Sequence, residues 1–589
     1  MQNSEATRLG NTLVGGDFNL NANGRAVSQE PGASLQVAGT FDPTGSGDVT
    51  LGGSGNLLPG YTPTGGANDI TAQGVIELGT INEAGDLVVV SEASSLSFDG
   101  GPVAGDAVLL TDAANSIGGS VSFSTDAPAV TAGPDVQTGI RQGAGTTLTV
   151  AGQASFTAAP SSVPGSGFVD LTNSGNSFGS LLVSGRDVDV RQESGDLVVD
   201  GATATDSLQL HAGAGGISQT GAIRTPRLAV TSSGDIALTH AGNEVAEVAA
   251  FTDGGGLELH SAGDLEVGSA FGMTGIDTAG GDLGLTTGGS LSQTEALANV
   301  GAVAVDAAGP IDLSHAGNTL TSVASMAASG DVALENAAAG LQVSGDVTTN
   351  DGTVSVVTAG DLRLAADSDI EITGSGDVVL AAGQDFINDS VDANIALDDG
   401  RYLIYSRDPN RSEQGGLSAD GSLFNRTYAA DGPETIHQTG SQFIYSLVPV
   451  LTFSPESLAV LYGQEPVLTY TFEGLMDGHS AEMVFSGTPS LTSAATAGSD
   501  VGTYAIGIGA GSLVSEIGYD FDFDAAGALV TVNPASLTIT AHDHSRLYGR
   551  RSGADVLADG FVLGEGVADL GGFSVIRRQS SRRRSEPTV

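Results

Sequence analysis

The chain has 589 residues, 87 of them Gly and 19 Pro, and a hydrophobic fraction of 40%, enough for a sizeable core and unlike collagen or a disordered tail. It has no Cys, which excludes a disulfide framework, a thiolate zinc site and a cysteine nucleophile. Its formal net charge is −49 and all 20 basic residues are Arg, a balance that repels nucleic-acid phosphates and anionic lipid headgroups.

The opening, Met1-Gln2-Asn3-Ser4-Glu5, has neither the basic stretch nor the apolar stretch of a signal peptide. No run of about 18 or more apolar residues follows, so no transmembrane helix is expected. We read the chain as a mature or internal piece of a longer protein.

From about residue 10 to 400 the texture is uniform. Gly195-Asp196-Leu197-Val198-Val199, Gly234-Asp235-Ile236-Ala237-Leu238, Gly263-Asp264-Leu265-Glu266-Val267, Gly330-Asp331-Val332-Ala333-Leu334 and Gly376-Asp377-Val378-Val379-Leu380 each read as a turn followed by a short strand. Apolar residues at alternate positions fall on one face of such a strand. Gly-Asp supplies a turn in which the carboxylate can bond to nearby backbone amides. Strands this short cannot bury a face alone, but coils of about 20–25 residues can stack into a parallel β-helix. Over that span, roughly 16–19 coils are expected.

A longer repeat runs through this region. Ile217-Ser218-Gln219 leads to Ile236-Ala237-Leu238-Thr239-His240-Ala241-Gly242-Asn243, and Leu291-Ser292-Gln293 leads to Ile311-Asp312-Leu313-Ser314-His315-Ala316-Gly317-Asn318. The offsets are 293 − 219 = 74 and 318 − 243 = 75, a spacing expected to equal three coils. Weaker copies end at Asn115 and Asn176, and Gln29 and Gln142 precede similar runs. Asn115, Asn176, Asn243 and Asn318 suggest an internal ladder of amides, although their unequal spacing argues against one regular ladder.

Near residue 400 aromatic strands appear, Arg401-Tyr402-Leu403-Ile404-Tyr405-Ser406 and Gln442-Phe443-Ile444-Tyr445-Ser446, around a polar stretch. They read as a cap over the open solenoid end. A second repeat follows: Leu451-Thr452-Phe453, Leu461-Tyr462-Gly463 and Glu473-Gly474-Leu475 are echoed by Leu537-Thr538-Ile539, Leu547-Tyr548-Gly549 and Asp559-Gly560-Phe561, with 548 − 462 = 86 and 560 − 474 = 86. The second copy reads as truncated, and its end carries Arg577, Arg578, Arg582, Arg583 and Arg584, which read as an unstructured tail.

Chemistry-bearing constellations are few. His240 and His315 occupy equivalent repeat positions, but coils apart they are too distant to share a metal, and a turn role is expected. Neither the tandem Gly-Gly-x-Gly-x-Asp of a calcium roll nor an EF-hand loop occurs. Arg186, Asp187, Asp189 and Arg191 form the nearest approach to a mixed-charge catalytic patch, and Asp187, Asp189 and Arg191, as alternate members of a strand, are expected to face water. Gly213-Ala214-Gly215-Gly216 lacks the Lys and helix of a phosphate loop. No catalytic, cofactor-binding or metal residue is nominated, and no cofactor is expected.

The Gly-Asp-strand texture, the Gln-to-His-Ala-Gly-Asn units and the 401–406/442–446 transition resemble filamentous haemagglutinin-type exoproteins of bacterial two-partner secretion. The 86-residue unit resembles the MBG/YDG-type β-rich repeat. The resemblance implies an extracellular or outer-membrane-surface adhesin that contacts host or neighbouring-cell glycans or proteins, and an outer-membrane secretion partner for the full-length form. The expected architecture is all-β: a right-handed parallel β-helix over 1–400, a capping segment over 401–449, an MBG-type module over 450–534 and a truncated second module over 535–589. The expected function is attachment without catalysis, with no nucleic-acid partner and no membrane insertion. A carbohydrate-active β-helix enzyme and a passive stalk are the rival readings.

Overall fold

The computed structural model describes residues 6–43, 145–158, 167–476, 478–542 and 556–572, and between 44 and 144 mainly the backbone of short strands. It is a nearly all-β structure, about 2% helical, in which a β-solenoid of about 16 turns is followed by a small β-rich module. Two compact units share the chain: residues 1–422 with 427–445, and residues 423–426 with 446–589.

In the first unit one 39-stranded sheet runs through the solenoid, and its pairings are parallel. The alternation read from the sequence explains the interior. Ile236 and Leu238, Leu257 and Leu259, Leu283 and Leu285, and Val303 and Val305 are all buried and stand in register on successive rungs. Each aliphatic side chain therefore stacks on a similar one about 4.8 Å along the axis. Burying a side chain of this kind contributes about 1.5–3 kcal/mol, so the stack supplies the cohesion a single short strand lacks.

The Gly-Asp turns work differently from the local turn expected. Their carboxylates reach forward to the next rung. Asp196 Oδ1 accepts from the Gly216 amide at 2.9 Å, Asp235 from Gly256 at 2.9 Å, Asp264 from Ser290 at 2.7 Å and Asp282 from Ala302 at 2.8 Å. The same geometry recurs from Asp331 to Thr353 at 2.8 Å and from Asp377 to Arg401 at 3.0 Å. Each Asp thus satisfies a corner amide that the parallel ladder leaves over.

Register also corrects the phase of the long repeat. Ile217, Ile236, Leu257 and Leu283 lie on one column of strands, so three rungs span 283 − 217 = 66 residues. Leu291 pairs instead with Leu265, on the neighbouring column. The 74-residue offset is therefore three rungs plus one further strand, and successive copies of the phrase sit on different columns. One rung also carries an insertion, the antiparallel pair Ser269–Ala270 and Met273–Thr274, whose turn holds Phe271 at φ 51° and Gly272 at φ 78°.

The aromatic strands assigned to a cap add two more rungs: Tyr402–Ser406 pairs with Val378–Ala382, and Gln442–Tyr445 pairs with Tyr402–Ser406. The excursion between them is pinned by charge. Arg411 Nε lies 2.9 Å from Asp385 Oδ2, and Arg401 donates to the Gln438 carbonyl at 2.6 Å. Burial pushes the Tyr402 hydroxyl up to about 12 and raises Tyr405 further.

The second unit packs two small sheets. Val450–Pro455 pairs antiparallel with Tyr470–Glu473 and parallel with Asp520–Phe523. The buried Phe453 ring lies among Tyr470, Phe472, Phe485, Phe521 and Phe523, at centroid distances of 5.3–6.0 Å. Leu458–Leu461, Leu529–Asn533, Gly502–Gly509 and Ser490–Ser493 form the other sheet over Ala495, Ile506, Val530 and Val532. The second copy reproduces the first hairpin: Thr538 pairs with Asp559 as Thr452 pairs with Glu473, both offset by 86 (538 − 452 and 559 − 473).

Candidate contact surface

Among the described residues the repeated amides pair with glutamines and not with one another as an Asn ladder. Each Asn clasps a Gln of the rung before it. Asn243 Nδ2 donates to Gln219 Oε1 at 2.9 Å, and Gln219 Nε2 donates to Asn243 Oδ1 at 2.8 Å. Asn243, fully buried, also donates to the Leu238 carbonyl at 2.9 Å and accepts the Ile223 amide at 2.8 Å. Asn318 repeats all of this with Gln293, Leu313 and Leu297. Asn176 does so with Gln142, Leu171 and Leu148. Asn56, which the sequence reading passed over, does so with Gln29, Leu51 and Leu35. The Asn115 side chain lies outside the described residues. The unequal spacing has a simple cause: each of these Asn residues meets a Gln one rung back, and the rungs differ in length.

His240 and His315 stabilise their turns. Each Nδ1 accepts the amide of the Gly two residues on, Gly242 and Gly317, at 3.0 Å. A Cβ on either glycine would stand 3.1 Å from the imidazole, a tight approach that favours Gly at this position. The 213–216 glycines serve close approach as well, since a Cβ on Gly215 would stand 2.4 Å from the Gly195 carbonyl. Among the described residues no group of three or more His, Asp or Glu could hold a metal ion.

The structure does gather the mixed-charge patch, and it is less solvated than a simple outward strand. Arg186 pairs with Asp187 and approaches Asp206 at 3.5 Å, which Arg227 meets at 2.7 Å. Asp189 stands in register with Asp170 on one side and Gln209 on the other. Burial, with the neighbouring Asp170 charge, raises the Asp189 carboxyl to about 6, against a smaller opposing pull from Arg191. Elsewhere on these rungs, Asp200 accepts from Ser180, from Thr220 at 2.5 Å and from Gln153 at 2.8 Å, and these bonds lower its pKa. His211, 3.9 Å from Glu193, is lowered by burial and by Arg191. The ion pairs follow the rungs, as expected of charges that hold coils together.

A different face is concave. Outward positions Ala237, Glu258, Gly284 and Ala304 are in register on four rungs, and His260, Thr286, Asp306 and Ala327 form the next row. Small residues leave two adjoining depressions there, of about 630 Å³ and about 520 Å³, which share Glu258, Gly284 and Ala304. The corner residues Asp235, Gly256 and Asp282 border the first. The trough presents the exposed carboxylates of Glu258 and Asp306, a hydroxyl from Thr286 and an imidazole from His260, over a floor of methyl groups and backbone. Such a surface can accept hydrogen bonds from an extended polar chain, and its lining includes no Phe, Tyr or Trp. No motif in the sequence marks it, because its residues are ordinary outward positions.

Residues 451–530 match the MBG domain (YGX type), and residues 1–63, 127–184, 185–252 and 254–327 match repeats of unknown function (DUF5649). Neither the curated proteins nor the solved structures yielded a match. The chain thus carries, on a β-solenoid, repeats similar to that uncharacterised set and one domain similar to the MBG type.

Proposed function

We propose that this chain is part of a filamentous haemagglutinin-like surface or secreted adhesin, which contacts glycans or proteins of a host or neighbouring cell through its solenoid and performs no catalysis. The observation that carries this reading is the trough over Glu258, His260 and Asp306, a shallow surface of carboxylates and an imidazole over an apolar floor, spread over several rungs of the solenoid. Weak contacts repeated along such a solenoid add by avidity. The extracellular or outer-membrane location and the outer-membrane secretion partner belong to the same proposal and rest on the resemblance of the repeats.

The test is binding of the purified full chain to a panel of glycans and matrix proteins, with product analysis on the same polysaccharides. Saturable binding, weakened by Glu258→Ala and Asp306→Ala without chain cleavage, is the expected result. Cleaved glycan would replace the proposal with a β-helix enzyme, for which the raised Asp189 carboxyl beside Asp170 is the favouring observation. Silence in both assays would leave the solenoid a passive stalk.

A further inference from the structure

We infer that the Tyr462–Gly463 corner of the complete module is a docking surface for loop 560–565 of the repeat that follows it, so that successive modules grip one another instead of hanging on a free linker. The inference is independent of what the solenoid binds.

Three contacts define the joint. The Tyr462 hydroxyl donates to Glu565 Oε1 at 2.5 Å. Gly463, at φ +94°, lies under Val562 so closely that a Cβ would stand 2.6 Å from it. Leu563, itself at φ 56°, brings its Cδ1 within 3.8 Å of where a Cβ on Gly498 would be. A bulky residue held at positive φ is costly and persists where surrounding contacts hold it. The Tyr-Gly pair thus has a stated purpose: the phenol reaches the next repeat, and the missing side chain lets that repeat approach.

The internal repeat supplies an independent comparison. Glu565 is equivalent to His479 and Val562 to Met476, since 565 − 479 and 562 − 476 are both 86. In the first copy, His479 Nδ1 and the Tyr519 hydroxyl are 2.6 Å apart, and the Met476 amide donates to the same hydroxyl at 3.3 Å. The Phe424 ring, from the segment ahead of that module, stands 5.6 Å from His479. Both copies of the loop therefore bind a tyrosine hydroxyl at the same position, from Tyr519 in the first copy and from Tyr462 of the preceding module in the second. The hairpin this loop follows has little core of its own, with Ile539 51% and Leu557 58% exposed. An anchor on the preceding module is what such a hairpin needs.

Amide hydrogen exchange on the full chain tests the joint. Glu565→Ala and Val562→Asp change only the second copy, so the first module keeps its own residues. Each is expected to speed exchange at Thr538–Ala541 and Val556–Asp559 by about tenfold, with the strand carrying Val530 and Val532 unchanged. Tyr462→Phe should reproduce the loss of the Glu565→Ala variant. Unchanged hairpin exchange in both second-copy variants would overturn the inference. So would a Tyr462→Phe effect confined to the Val530 strand, because the hydroxyl would then serve only its own module.

Discussion

Replacing Asn243 with Ala should expose how much of the solenoid depends on the amide clasps. The substitution removes four hydrogen bonds from a fully buried side chain and leaves behind the Ile223 amide, the Leu238 carbonyl and one edge of the Gln219 amide. A buried polar group left unpaired costs about 1–3 kcal/mol, and water entering the space offsets part of it, so a loss of about 3–6 kcal/mol is expected. Gln219→Ala should cost less, about 1–2 kcal/mol, because Asn243 keeps both backbone partners. The double variant should then cost little more than Asn243→Ala alone, a coupling that a double-mutant cycle measures. A solenoid need not unfold in one step, so the assay is amide exchange at Ile223, Val245 and neighbouring rungs, with denaturation followed in parallel. Deprotection should centre on the rungs of Gln219 and Asn243 and fade beyond them. A loss below about 1 kcal/mol, or equal costs for the two single variants, would refute the clasp as a structural device.

Asp189→Asn should stabilise the protein at neutral pH. A folded-state carboxyl raised from 3.8 to about 6 favours the fold below its unfolded pKa, and that contribution is lost as pH rises through 6. Discounted for partial exposure, the gain should be about 1–2 kcal/mol at pH 7 and vanish near pH 4, as read by denaturation across pH. An equal gain at both pH values would refute the reasoning. Asp200→Asn should act in the opposite sense: the lowered carboxyl contributes above its unfolded pKa, and the deficit of the variant should close as pH falls through the folded value. Gly360→Ala should cost about 3 kcal/mol or more, because its Cβ would stand 1.6 Å from the Ala339 carbonyl, whereas Gly263→Ala, with open space around it, should stay within about 0.5 kcal/mol. Similar thermal midpoints for these two variants would show that the glycines do not set the rung spacing.

What the sequence determined by itself was everything written in short-range pattern. Alternation in Ile236-Ala237-Leu238 or Val332-Ala333-Leu334 dictates which side chains face inward, and Gly-Asp marks where each strand starts, so the all-β solenoid was legible. The twofold offset of 86 residues defined the module and its echo for the same reason. What only the tertiary structure decided was which residue stands above which. Rungs differ in length, 236 − 217 = 19, 257 − 236 = 21 and 283 − 257 = 26 residues, so equal spacing in sequence does not mean equal position in space. For that reason the Asn-on-Asn ladder became Gln–Asn clasps, the 74-residue phrase moved to a neighbouring column, and the turn carboxylates of Asp196, Asp235 and Asp264 found amides 20, 21 and 26 residues away. The trough has the same origin. Glu258, Gly284 and Ala304 are unremarkable in sequence and become one surface because backbone hydrogen bonds, indifferent to side chains, bring their rungs into register.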